Sequence, residues 1–446
     1  MGRNMILRAP SGILPVRNRI ARPGRPRIEF APPRPMWRGL TPNRLGVSVE
    51  FETAICDRHG RIERVLQRGK NTITNTGMDS LASQSICDLI NYLVLSSTND
   101  ARKRVMSGPT LTVTYTSPTN ISVSSDVSFF VSADAGRTLK LPNVPELKIT
   151  TYTSGTQVTC QTPSGDWLPG FVAPGSPTNY GVATIYYTNL NTLATYFTQF
   201  NTYDAGGQTE LTDNANSRFI HERIFLSATV SGSDWTVNQL GWSDGNGSHN
   251  CFGIANLASP DVIPVGKKYR VKLDVYLVYT PLDQAGVSIN WGATIGAYTC
   301  DIRSIYLGTA TQSGYNYGAW LEPWRITNYV ANTGQNLFSL YRTAAYTMTA
   351  VYWQGQTGGT APDVNSWTST GQVATLGAYT TGAYKRTKNI RWPDTVAITN
   401  ATALGMGLNG WTTQLVMKPQ SGTITKPSGY WCDWTVPIYW TRDLPT

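Results

Sequence analysis

Histidine is the first residue type to search for chemistry, and the chain has three: His59, His221 and His249. His221 opens the run His-Glu-Arg-Ile-Phe, which begins like the HExxH of zinc proteases, but Phe225 stands at the second ligand position. That chemistry needs two imidazoles one helical turn apart, and a phenyl ring cannot bind zinc. His59 falls in a turn-like run and His249 in a Gly/Asn loop, so no pair has metal-ligand spacing. Six cysteines (Cys56, Cys87, Cys160, Cys251, Cys300 and Cys432) are scattered without a CxxC. Buried free thiols are the expected state, with one or two disulfides the alternative in an extracellular particle.

Other motifs fail in similar ways. Gly405-Met-Gly407-Leu-Asn-Gly410 matches GxGxxG, yet the following run Trp411 to Met417 reads as strand, where a dinucleotide site requires the loop to open a helix. The glycines are expected in a turn. Asp244-Gly-Asn246-Gly-Ser248 has the alternating oxygens of a calcium loop, but Ala255 occupies the position of the bidentate glutamate. Aromatics at 315–324, with Trp353, Trp367 and Trp392, offer faces for sugar stacking, and equally suit a core or a subunit interface. Glu322 and Asp363 cannot be paired by sequence into the two carboxylates of a glycosidase. The expectation is a protein that is not an enzyme and carries no cofactor or catalytic metal.

The elements that position these residues read as mainly β. The 446 residues are 40% hydrophobic and only 14% charged, with 14 Trp and 23 Tyr. That suffices for a sizeable core. The formal charge of +10 is confined to residues 1–70, which hold fifteen bases against five acids; the remainder balances. Residues 1–44 form an extended Arg/Pro-rich arm that includes Arg17, Arg19, Arg22, Arg25, Arg27, Arg34 and Arg38. Its prolines exclude regular helix. Fully stretched, the arm reaches on the order of 150 Å. Arginine suits phosphate and carboxylate alike. Ile20, Ile28, Phe30, Met36 and Trp37 are apolar residues that a purely electrostatic tail does not need, so docking on protein is favoured over nucleic acid. No run approaches the roughly 20 apolar residues of a membrane span, and no insertion into a membrane is expected.

Residues 45–68 read as a hairpin around Asp57-Arg58-His59-Gly60: residues 45–55 alternate, and Ile62, Val65 and Leu66 supply the return strand less cleanly. Thr76 is the expected helix cap, with Asp79 at the capping-box position. Met78, Leu81, Ala82, Ile86, Leu89, Ile90 and Leu93 then recur at helical spacing over about four turns. From Val105 onward the pattern is strands and turns, including Leu111–Tyr115, Val127–Val131, Leu147–Tyr152, Val182–Tyr187, Arg223–Val230, Trp235–Ser243 and Tyr269–Tyr279. The fold expected is therefore mainly β: a β-sandwich-rich body with one early helix behind an extended arm. Its divisions are the arm (1–44), a hairpin, helix and sandwich body (45–285), an aromatic and Gly-rich β insertion (286–380), and closing strands of the body (381–446).

The run containing Asn71, Thr74, Asn75, Gly77, Asp79, Leu81 and Ala82 resembles the N-x-ITN-x-G-x-D-x-LA signature of bacteriophage tail-type structural proteins. In that family the signature follows a hairpin and opens a helix. Later stretches are similar in order. Arg223 to Val230 with Leu240-Gly-Trp-Ser243 resembles a strand pair of the family, with Gln239 where Glu is usual. Cys251-Phe-Gly-Ile254 matches a further stretch at Phe252, and Ile424 to Arg442 resembles the closing strand before a terminal Trp-x-Arg. The resemblance implies a virion structural protein in tail, neck or fibre, assembled as a homo-oligomer with other virion proteins in the host cytoplasm, without cofactor or activity. Two alternatives stay open. One is a capsid or capsid-associated coat protein whose arm contacts packaged nucleic acid; the other is an appendage that binds host surface glycan.

Overall fold

The computed structural model describes residues 43–442 except 83–88, 107–109, 168–170, 182, 202–207, 214–217, 246–249, 281–282, 305–337, 344–367, 370–372, 377, 393–394, 396, 402, 409–411 and 431. Among the confidently described residues the fold is mainly β, with 54% strand, 4% helical and one α-helix.

Strand Asn43–Cys56 is the centre of the first sheet. Its alternation decides its two faces: Val47, Val49 and Phe51 are buried, while Ser48, Glu50 and Glu52 lie on the opposite face. Along one edge it pairs antiparallel with Lys268–Thr280, from Arg44↔Thr280 to Cys56↔Lys268. The other edge is shared. Residues 43–47 pair parallel with Ile438–Arg442, and residues 50–56 pair antiparallel with Ile62–Lys70. The hairpin turn is fixed by Asp57, whose carboxylate accepts from the amides of His59 (2.8 Å) and Arg61 (2.9 Å). Gly60 takes the left-handed φ of 85° that this turn requires. Gln208–Asp213 and Arg218–Leu226 extend the sheet on one side, Lys385–Trp392 and Val373–Leu376 on the other.

The second sheet runs Tyr196–Phe200, Tyr92–Ser96, Trp235–Ser243, Cys251–Ile263, Thr72–Ile73. One core joins it to the first sheet, so the two form a sandwich. Phe51, Phe225, Val271, Leu273 and Trp440 meet Leu93, Leu95, Leu240, Trp242 and Phe252, with Met78, Leu81 and Ala82 from the helical segment between them. Residues 103–186 leave the second sheet, form the eight-stranded third sheet around a separate core that includes Leu111, Val123, Leu139, Ile149 and Ile185, and return. A fourth sheet of six strands draws on Asp283–Ser304 and on Ala403–Pro419, either side of residue 380.

Three sequence expectations are corrected. The α-helix described is Asn75–Ser80, capped by Thr74 rather than Thr76. Ile86 lies outside the described residues, and by Tyr92 the chain is strand, so Leu93 enters the core opposite Trp242 from a sheet. A short apolar run satisfies helix and buried strand alike. Val127–Val131 is not a strand: the Asp134 carboxylate accepts from the Val131 amide (2.9 Å) and curls the chain into a 3-10 turn at Ser132–Asp134. Gly405 and Gly407 lie within strand Ala403–Leu408 rather than in a turn.

Candidate functional site

The signature residues converge on one buried joint. Thr74 has extended backbone, with ψ 166°, and its hydroxyl accepts from the Gly77 amide (2.9 Å), which satisfies one of the free donors at the helix start. The same hydroxyl donates to the Cys251 carbonyl (2.7 Å), and the Thr74 amide donates to the Phe252 carbonyl (2.9 Å). Gly77 lies against that carbonyl. A Cβ at this position would sit 2.2 Å from the Phe252 oxygen, so no other residue fits without moving two backbones apart. Asn71 is buried against Gly253, where a Cβ would come within 2.4 Å of the Asn71 amide nitrogen.

Asn75 reaches three parts of the chain. Its amide nitrogen donates to the Gly136 carbonyl of the third sheet's unit (3.1 Å), and its oxygen accepts from Tyr384 (3.1 Å) and Arg442 (2.9 Å). Asp79 accepts from the Tyr379 hydroxyl and from the Gly382 amide (2.6 Å); it closes no capping box. Leu81 and Ala82 are buried in the sandwich core, and the Ala82 carbonyl accepts from Arg386 (2.6 Å). The Trp440 indole donates to the Met78 carbonyl (2.8 Å).

Arg442 completes the joint. Its guanidinium is buried and donates to the Ile73 carbonyl (2.7 Å), Glu146 (3.1 Å), the Asn75 oxygen and the Tyr384 hydroxyl (2.9 Å). It also lies 5.0 Å from the Tyr384 ring centroid. Burial alone would lower its pKa; the neighbouring Tyr384 and Glu146 outweigh that, and the net direction is upward. Arg442 is therefore permanently charged. Burial pushes the Tyr384 phenol up to about 12 against the opposing pull of Arg442. Tyr384 also adopts a left-handed φ of 45°. That strained conformation is held by its hydroxyl contacts and by the Trp440 amide donating to its carbonyl (3.0 Å).

The arrangement brings no nucleophile to a base. Apart from the Asn71 amide, the side-chain groups named here are engaged in joining the helix, the second sheet, the closing strand and the unit of the third sheet. The other candidates are not part of it. His59 sits exposed in its turn, with its Nε2 accepting from Arg58 Nε (3.0 Å). His221 lies in strand Arg218–Leu226, a period that cannot present an HExxH pair on one helical face. Cys56, Cys160, Cys251 and Cys300 are buried free thiols. Arg17, Arg19, Arg22, Arg25, Arg27, Arg34, Arg38 and Trp37 lie outside the described residues, as do Asn246, Ser248, His249, Glu322, Asp363 and the aromatics at 315–324. Among the described residues no group of His, Cys, Asp and Glu is arranged to hold a metal ion, and no helix is long and apolar enough to cross a membrane.

Sequence reasoning missed Glu146, Tyr379 and Tyr384, which stand in or beside loops. Arg442 carried a signal: it continues the apolar row Ile438, Trp440 at the same alternation, on a strand end where residues 439–442 are all buried. Gln239 is explained by its partners. It is fully buried, donates to Asp100 (2.9 Å) and Asn256 (2.7 Å), and accepts from the Ala194 amide (2.9 Å). A glutamate would have no proton to give the first two.

Comparison of the chain with family models, curated proteins and solved structures returned no match.

Proposed function

We propose that the chain is a structural component of a phage virion, in the tail, neck or fibre, anchored to neighbouring subunits by its N-terminal arm and assembled as a homo-oligomer. The observation that carries this reading is the role of Asn71 to Ala82. The segment resembles a virion signature that follows a hairpin and opens a helix, and here hairpin 43–70 leads into helix Asn75–Ser80. Thr74, Asn75 and Asp79 are spent on joining parts of the chain, a use that suits a rigid building block better than turnover. The arm's arginines and interspersed apolar residues suit a protein surface. A second reading, a coat protein whose arm meets packaged nucleic acid, is favoured by the confinement of the whole +10 charge to residues 1–70.

The test is cross-linking mass spectrometry on intact particles. Residues 1–42 contain no lysine, so the linker must be photoreactive or acid-directed. Cross-links from the arm to tail, neck or portal proteins support the anchoring role. Cross-links confined to nucleic acid or the major coat subunit overturn it in favour of the second reading. Turnover of a host polysaccharide by the purified protein would overturn both.

A further inference from the structure

The geometry points to strand Asn43–Cys56 as a shear clamp, a device that lets the folded body withstand tension applied through the arm. The inference rests on the anchoring reading for its purpose, but its mechanics stand on the strand register alone.

The arm joins the body at Asn43, the first residue of the central strand of the first sheet. Tension on residues before 43 therefore acts along the axis of a strand with neighbours on both edges. The parallel neighbour decides the outcome. Ile438–Arg442 runs in the same direction as residues 43–47, in the register Asn43↔Ile438 to Val47↔Arg442. Pulling Asn43 one way and the chain beyond Arg442 the other slides the two strands past each other. Every hydrogen bond of the ladder is then loaded at once, and none can open first. Two strands that leave a sheet at the same end behave differently, because their bonds open one after another from that end.

Two further features oppose sliding. A slip of one residue would turn Glu50 and Glu52 into the core and Val49 and Phe51 out of it. At the far end of the parallel pair, the buried guanidinium of Arg442 is tied to Ile73, Asn75, Glu146 and Tyr384. Load reaching the closing strand thus passes into the helix start and the unit of the third sheet rather than pulling one strand free. Pro437, which has no amide hydrogen to give, lies just before the parallel pairing begins and outside its register.

Single-molecule pulling on the full chain tests this. One geometry places handles at residue 2 and residue 446, which shears Asn43–Val47 against Ile438–Arg442. The second places them at residue 2 and Asp283. Because Arg44 pairs with Thr280, that geometry peels the central strand from its antiparallel neighbour pair by pair. The expected result is a rupture force several-fold higher in the first geometry at the same loading rate. Arg442→Lys, first shown to be folded by circular dichroism, should lower the first force and leave the second unchanged. Equal forces in the two geometries, or an equal effect of Arg442→Lys on both, would overturn the clamp. Failure of the anchoring reading is seen separately, as particles that assemble normally when residues 1–42 are deleted, and does not alter the measured forces.

Discussion

Arg442→Met removes the guanidinium and keeps an unbranched stem of similar reach. The loss can be worked from the joint. The side chains of Arg442 and Glu146 are each 1% exposed, so the variant leaves a carboxylate in the interior without the Arg442 charge. Removing one member of a buried pair costs about 3–5 kcal/mol, because the remaining charge keeps its desolvation penalty. The Ile73 carbonyl and the Asn75 oxygen lose charge-assisted donors as well. Against a usual domain stability of about 5–15 kcal/mol, that is a large share. Replacing both partners, as in the double variant Arg442→Met with Glu146→Leu, removes the stranded charge and should recover much of the loss. Urea denaturation followed by tryptophan fluorescence reads the three stabilities. Hydrogen exchange then locates the damage, expected together in residues 72–80, 136–149 and 379–386. A single variant within about 1 kcal/mol of the parent protein, below the expected range, would refute the reasoning. So would a double variant no better than the single, or exchange confined to strand Cys432–Arg442.

Gly77→Ala should destabilise the protein by about 3 kcal/mol or prevent folding, since the new methyl meets a backbone carbonyl rather than a movable side chain; an unchanged melting curve would refute the close approach. Gln239→Glu sets acceptors against Asp100 and Asn256 and should cost about 1–3 kcal/mol by urea denaturation. Tyr384 keeps its proton to about 12 when folded, whereas the unfolded form releases it near pH 10. Its contribution is therefore intact below pH 10 and falls by about 1.4 kcal/mol per unit above it. Paired spectrophotometric and unfolding titrations should show phenol ionisation in step with loss of structure. Burial pushes the thiols of Cys160 and Cys251 up, the latter to about 12; native protein should react with thiol reagents far more slowly than denatured protein.

The strands Asn43–Cys56 and Lys268–Thr280 were legible because buried and partly exposed residues alternate along them, whereas the hairpin's return strand Ile62–Lys70 leaves Ile62 and Val65 exposed and reads less cleanly. The helix cap was misplaced because Thr74 and Thr76 offer the same hydroxyl two residues apart. Only the neighbouring Phe252 carbonyl, distant in sequence, selects the first. Leu93 satisfied a helical period by coincidence with a buried strand. The resemblance drew attention to Asn75, Gly77 and Asp79, but the partners that give them their roles were not legible. Glu146, Tyr379 and Gly382 belong to other segments, and nothing local to them marks a long-range bond. Arg442 was readable in principle, as a charged residue in phase with an apolar row.

The register that sets Asn43 beside Ile438 also imposes a schedule on synthesis. The third sheet closes on residues 103–186 alone, so its core can form while the ribosome is still working on later segments. The central strand of the first sheet cannot be completed then, because its parallel partner Ile438–Arg442 lies far later in the chain. Until that stretch emerges, one edge of residues 43–47 lies open to any passing strand, the usual opening for misassembly. A prematurely terminated chain never closes that edge and never receives Arg442. It is left with Glu146 and Asp134-bearing segments folded and the sandwich unfinished. The first sheet thus stays unfinished until Ile438–Arg442 is made, and a chain that stops short of it keeps an open strand edge.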